Sequence, residues 1–326
     1  MADLESCMAA PILSLIVPVY GVEDYVGACL DSILKAPGFA NQCELIVIDD
    51  GSKDGSMDIV EQRCRGIANV TIVRQANAGL GAARNTGIAH AQGRYLWFVD
   101  SDDEICGDAI VQLTDCIVRH GPDVIAFEFE TIGGSLDRSP YLPIYDQIVD
   151  PVRFMASGRP PSPVQFYAFA RALIARTGHA FAPGIYHEDA LFTPLALVQA
   201  GSLVRLSTAC YRYRLREGSI MSLSRPEKHL ADMLSISEVL GAHANRAPTG
   251  SAQQQALARE VGFALAAARH YAARTSRRDR CQAASFSRML SAGARWWHYF
   301  PLRVLINYAR LLGLAALPTS LGSGRK

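Results

Sequence analysis

Twice in the first third of the chain, a nearly unbroken apolar run ends on a cluster of acids. Glu44–Ile48 (ELIVI) runs into Asp49-Asp50-Gly51-Ser52, and Tyr95–Val99 (YLWFV) runs into Asp100-Ser101-Asp102-Asp103. Runs of this kind suit a strand buried on both faces. Each acid cluster therefore marks a point where a core strand leaves the interior. Ile12–Val19 (ILSLIVPV) is a third such run, and Val70–Arg74 and Val124–Phe129 read as two more. Helical patterns separate them. Val22, Val26, Cys29, Leu30, Ile33 and Leu34 share one helical face and stop at Pro37-Gly38. Further helices are expected from about Ser56, over Gly79–Ala91 and over about Asp108–His120. Repeated β-α-β units with short connections predict an α/β, Rossmann-like fold with a mainly parallel central sheet and helices on both faces. Ligands of such sheets bind beyond the carboxyl ends of the strands. Both acid clusters fall on that rim.

The rest of the chain reads differently. Residues 131–165 are rich in Gly, Pro and Ser, and helical pattern returns from about 166 to 200. After Pro226 the pattern is almost wholly helical, with a break at Gly241–Gly250. Charge divides at the same place. Residues 1–224 hold 17 Lys and Arg against 26 Asp and Glu; residues 225–326 hold 15 against 5. A net charge of +1 hides an acidic body and a basic appendage. The acidic body does not favour nucleic acid, whereas the basic part favours an anionic surface. The expected organisation is a catalytic domain over 1–224, with halves of about 11–130 and 131–224, and a helical region over 225–326. Eight scattered cysteines without a C-x-x-C pair read as buried free thiols. The start of the chain lacks a basic-then-apolar leader, which places the expectation in the cytoplasm.

Each motif carries two readings. Asp100-Ser101-Asp102-Asp103 is either a solvated acidic turn or a set of hard oxygen ligands suited to Mg²⁺ or Mn²⁺. Asp49-Asp50-Gly51-Ser52 is either a turn with a helix cap or a carboxylate pair for a base N–H or a ribose hydroxyl. His187-Glu188-Asp189, before the apolar run Ala190–Leu197, is either the acidic start of a helix or a general-base site. Arg212, Arg214 and Arg216 alternate, so on a strand they share one face, either exposed or directed at phosphate.

Four motifs in order decide the comparison with known families: Ile16-Val17-Pro18-Val19-Tyr20, ELIVIDDGSKDGS from Glu44, NAGLGAARNTG from Asn77 and GRYLWFVDSDD from Gly93. Together they resemble the family 2 glycosyltransferases of GT-A fold. The resemblance covers about residues 11–130 and extends more thinly to about 222. It implies a nucleotide-sugar donor, most readily a UDP-sugar, bound by Pro18, Tyr20, Asp49, Asp50, Arg84, Asp100, Ser101 and Asp102. Tyr20 would sit at the base, Asp50 would bond the uracil, and Asp100 would face the ribose. Asp102 and Asp103 would form the metal site for a divalent cation. Asp189 would be the catalytic base, with Glu188 the runner-up, and His187 either a metal or phosphate contact or a structural residue. The implied reaction is inverting transfer to a hydroxyl of a glycan or lipid-linked acceptor in bacterial surface-polysaccharide assembly. Gly218-Ser219 would begin a closing loop. Two rivals remain: a non-catalytic nucleotide-sugar-binding protein and a nucleotidyltransferase, although Pro18-Val19-Tyr20-Gly21 lacks a Gly-rich phosphate loop.

His298–Pro318 resembles a membrane span, but Arg303 and Arg310 interrupt it, and a central arginine costs about 2.5–3.5 kcal/mol on insertion. Arg303, Asn307 and Arg310 form one polar stripe, and Trp296, Trp297, Tyr299 and Phe300 precede it. Residues 295–318 therefore read as an amphipathic helix. It either lies on the anionic inner face of the cell membrane or packs on protein.

Overall fold

The structure is a computed structural model, and it describes residues 10–135, 144–158, 162–215 and 225–276. Segment 295–318, Arg216, Gly218-Ser219, Cys7 and Cys281 lie outside the described residues.

The apolar runs become strands where expected. β1 (Leu13–Val19) is buried at every position. β2 (Cys43–Asp49) lies parallel beside it, with Val19 opposite Asp49. β3 (Val70–Arg74) pairs parallel with β2, and β4 (Tyr95–Phe98) pairs parallel with β1 on its other side. The order β3-β2-β1-β4 puts the ends of β2 and β4 on one rim. Connecting helices α1 (Val26–Leu34), α2 (Phe39–Gln42), α3 (Ser56–Cys64) and α4 (Leu80–His90) complete this half. α4 lies very close to β1: a Cβ on Gly87 would meet Ile16 Cγ2 at 2.2 Å. Only glycine permits that approach.

Beyond β4 the sheet is mixed rather than parallel. The elements there are β5 (Glu104–Ile105), α5 (Ala109–Arg119), β6 (Val124–Ile132), β7 (Ile148–Val149) and α6 (Pro151–Ala156). A short 3₁₀ turn, Val164–Phe166, then leads into β8 (Tyr167–Ala170) and α7 (Arg171–Thr177). β8 inserts between β4 and β6, antiparallel to both. The periodicity of 166–200 predicted only helix; YAFA has strand-favouring Tyr167 and Phe169, but its two alanines and four-residue length leave it indistinct from the helical pattern around it. α8 (Asp189–Gln199) leads to β9 (Leu203–Arg214), which runs parallel to β6 with a register shift and antiparallel to β5 and β7.

α9 (Pro226–Arg246) and α10 (Ala252–Ala272) form an antiparallel pair with its own apolar core. Met233, Ile236 and Leu240 meet Leu257, Val261 and Leu265 there, and Leu195 of α8 joins them. The expected break at Gly241–Gly250 is found only at the later end of that range. Gly241 is buried inside α9, and the chain turns only between Ala247 and Ser251. Ser251 caps α10 by accepting from the Gln254 amide, and the Gln254 side chain ties back to the Ala244 carbonyl and the Gly250 amide. Among the described residues the six cysteines are free thiols, and no helix is long and apolar enough to cross a membrane.

Candidate active site

The rim formed by β1, β2 and β4 collects the first acids. Asp49, the last residue of β2, accepts from the amides of Gly51 (3.0 Å) and Ser52 (2.9 Å), closing a turn in which Gly51 has φ +75°. Asp50 is 3% exposed. It accepts from Gln75 Nε2 and the Ala78 amide at 2.8 Å and from the Gly79 amide at 2.9 Å, so its carboxylate anchors the loop before α4. Pro18 is buried in β1, and Tyr20 just beyond it is 54% exposed on the same rim.

Arg84 on α4 is 1% exposed and joins the two halves of the molecule. One guanidinium nitrogen pairs with Asp100 at 2.6 Å, and another pairs with Glu188. The planar group also lies over the Phe181 ring, 5.3 Å from its centre. Burial disfavours its charge, but Asp100, Glu188 and Asp189 outweigh that and raise its pKa further. Close packing brings the partners together. A Cβ on Gly81 would meet the Ala182 carbonyl at 2.9 Å, and Asn85 grips the Phe181 backbone through both its N–H and its C=O at 2.8 Å.

The four residues Asp100–Asp103 that follow β4 and Val99 face different ways. Asp100 takes the Arg84 pair, and Ser101 is buried. Asp103 points inward and is 2% exposed; the Tyr211 hydroxyl and the Arg214 amide both donate to it at 2.7 Å. Burial, together with Asp100 and Asp102, pushes its carboxyl up to about 8. Asp102 is half-buried, and its backbone carbonyl accepts from Arg214 Nε at 2.9 Å. The resemblance treated Asp102 and Asp103 alike; the fold separates them. Arg212 and Arg214 both reach Glu104, so their common face is matched by an acid of β5.

Glu188 and Asp189 meet this rim at the start of α8. Burial raises the Glu188 carboxyl, and the adjacent Arg84 opposes the rise. Asp189 is half-buried and accepts from the Ala190 amide at 2.8 Å. Loss of solvation, then the Glu188 charge, lifts it to about 7, against the pull of Arg84. His187 turns away from this site, its ring meeting His229 and Tyr271.

Gln75, Asn85 and Tyr211 hold the site yet carry no assignment from sequence. Asn85 lies inside the NAGLGAARNTG motif beside Arg84, and that adjacency was the available signal. Tyr211 opens the stretch of alternating arginines, but its role was not readable there, because its partner Asp103 lies 108 residues earlier.

A family model described as Glycosyl transferase family 2 matches residues 14–178, half of the chain. The chain belongs to this family. Among curated relatives, the uncharacterized glycosyltransferase EpsJ of Bacillus subtilis is 30% identical over 65% of this chain and 64% of its own length. Glycosyltransferase GlyA of Streptococcus pneumoniae is 31% identical over 64% of this chain and 31% of its own. The chain thus spans less than two thirds of the length of these relatives. Among solved structures, Staphylococcus aureus TarS 1–349 in complex with UDP-GlcNAc superposes with a TM-score of 0.74 at 24% identity, over 93% of this chain and 89% of that one. The mannosyltransferase PcManGT of Pyrobaculum calidifontis, in complex with GDP-Man and Mn²⁺, gives 0.56 at 17% identity, over 94% and 86%. These likenesses establish the GT-A-like fold of the sheet and the helices around it.

Proposed function

We propose that this chain is an inverting, metal-dependent glycosyltransferase that moves a sugar from a UDP-linked donor to a hydroxyl of a glycan or lipid-linked acceptor. The observation that carries the reading is the division of labour between adjacent acids. Glu188 is held in an ion pair with Arg84, while Asp189 sits half-buried with its carboxyl raised to about 7. A base tuned to that range takes the proton of an attacking hydroxyl at neutral pH. Direct displacement by that hydroxyl inverts the anomeric carbon. Tyr20, Pro18, Asp49 and Asp50 line the nucleotide side, with Asp50 acting through the loop it anchors. Asp100, fixed by Arg84, faces the ribose. The UDP complex of TarS supports a uridine diphosphate donor here.

A divalent cation fits the residues present. Asp100 and Asp102 offer hard carboxylate oxygens, and three acids crowd four positions. Among the described residues no three His, Cys, Asp or Glu side chains form a complete cage; Mg²⁺ characteristically takes one or two carboxylates and completes its shell with water and substrate phosphate. Asp102 would hold the ion, with Asp103 supporting the turn, and Mn²⁺ beside GDP-Man in the archaeal mannosyltransferase supports the assignment. When bound, such an ion neutralises charge on the departing diphosphate. Residues 225–326, and the amphipathic pattern of 295–318, would bring the enzyme to an anionic membrane surface at the cytoplasmic face, where a lipid-linked acceptor sits.

The test uses the full chain with a panel of UDP-sugars, Mn²⁺ and lipid-linked acceptors, reading UDP release with and without EDTA. EDTA-sensitive release from one donor is expected; no release from any donor overturns the proposal. Asp189→Asn is expected to keep UDP binding by calorimetry and to lose about 10²–10⁴-fold in transfer rate. For the membrane reading, the full chain is expected to float with anionic vesicles and a chain ending at Ala294 to sediment. Equal flotation of the two sinks it.

A further inference from the structure

The loop that delivers Glu188 and Asp189 is held by α9 and α10. Lys228 donates to the Gly184 carbonyl at 2.7 Å and pairs with Asp232 at 3.0 Å. Asp232 in turn accepts from the Tyr186 amide at 2.8 Å. His187 Nε2 lies 2.9 Å from His229 Nδ1 and 3.3 Å from the Tyr271 hydroxyl. The His229 and Tyr271 rings stack with centres 4.6 Å apart and planes 12° from parallel. Three aromatic rings from one loop and two helices therefore form a single packed unit.

His187 is also a backbone outlier. Its φ is +59°, a left-handed conformation that side-chain-bearing residues rarely adopt. Such a residue stays there only because its surroundings hold it. The turn it makes ends at Glu188, the cap of α8, and Asp189 is the first residue of that helix. The direction in which both acids point thus follows from the turn at His187, and the ring of His187 is anchored in the helical pair.

We propose that His187, His229 and Tyr271 are positioning residues through which α9 and α10 aim Asp189. His229 and Tyr271 hold the His187 ring, and the ring holds the left-handed turn that presents the base. None of the three touches a reacting atom. The inference rests on Asp189 being the base, and the helical pair becomes part of the catalytic apparatus rather than an accessory to it.

The test is a comparison of kcat and KM for transfer in His187→Gly, His229→Ala, His229→Gln, Tyr271→Phe and the His187→Gly/His229→Ala double variant. His229→Ala is expected to lower kcat about tenfold or more, since small misplacements of a catalytic group have large effects, with donor KM within about twofold of wild type. His229→Gln, which keeps a hydrogen-bonding group, is expected to recover most of the loss. Because His229 acts through His187, the double variant is expected to be no worse than His187→Gly alone. Losses that multiply, a donor KM that rises in step with the fall in kcat, or a glutamine variant as poor as the alanine one would overturn the proposal. Should His229→Ala fail to fold, His187→Gly and Tyr271→Phe are read by the same split of kcat from KM, and unchanged kcat in both overturns it. An Asp189→Asn variant that transfers normally instead defeats the base assignment itself. An inactive Asp189→Asn beside an unimpaired His229→Ala defeats only the relay.

Discussion

The two sides of the cleft treat their carboxylates in opposite ways. On the proposed nucleotide side, Asp49 and Asp50 are met by amides of their own turn and of the nearby loop before α4. On the proposed acceptor side, Glu188 and Asp189 stand at the start of α8 beside Arg84, and both carboxyls are pushed upward, first of all by burial; Asp103, in the turn after β4, is pushed up in the same way. The first arrangement builds a wall. The second stores unfavourable charge where proton transfer is proposed, and perturbed acids of that kind cluster at reactive positions. Arg84 joins the segment after β4 to the start of α8, pairing with Asp100 and with Glu188.

The sharpest way to break this contrast is to remove Arg84. Arg84→Ala leaves Asp100 and Glu188 without their shared cation and is expected to cost about 3–5 kcal/mol in denaturant unfolding, as loss of one partner of a buried pair does. Asp50→Ala, which strands amide donors on the wall side, is expected to cost less, about 1–3 kcal/mol. If Asp50→Ala proves the more damaging, the acceptor side does not hold the strain assigned to it. A further expected effect, confined to neutral and alkaline pH, is of opposite sign. The Asp189 carboxyl rests at about 7 in the folded chain, against an ordinary 3.8. Between those values the folded protein keeps a proton that the unfolded chain has released, so stability falls as pH rises through that window. Asp189→Asn removes the penalty. Its Tm is expected to exceed that of wild type by about 2 °C or more at pH 8 and to match it near pH 4. A lower Tm for the variant at pH 8 contradicts the upward shift.

The same contrast explains what was legible in the sequence. β1, β2, β3 and β4 each contain enough apolar or β-branched residues to be read singly, and their parallel pairing follows from the helices between them. β8 was hidden by its length and composition, and with it the antiparallel joint between β4 and β6. The acids were visible as clusters, but their division into inward Asp103 and half-buried Asp102 depends on Tyr211 and Arg214, more than 100 residues away. No spacing within DSDD encodes that. The alternating arginines were visible too, whereas their pairing with Glu104 needed the antiparallel β5–β9 contact.

The tight seat of α4 on β1 has a consequence for how this chain can diversify. A methyl group at Gly87 meets Ile16 at 2.2 Å, and one at Gly93 meets the backbone amide of Ser14 at 2.6 Å. Both ends of the stretch from α4 into β4 are therefore closed to any larger residue, whatever sugar is being selected for. Libraries that seek a new donor or acceptor will lose most of their members if they randomise this stretch. They will retain far more if they vary exposed positions such as Tyr20, which stands on the rim without bearing on the packing of the parallel strands.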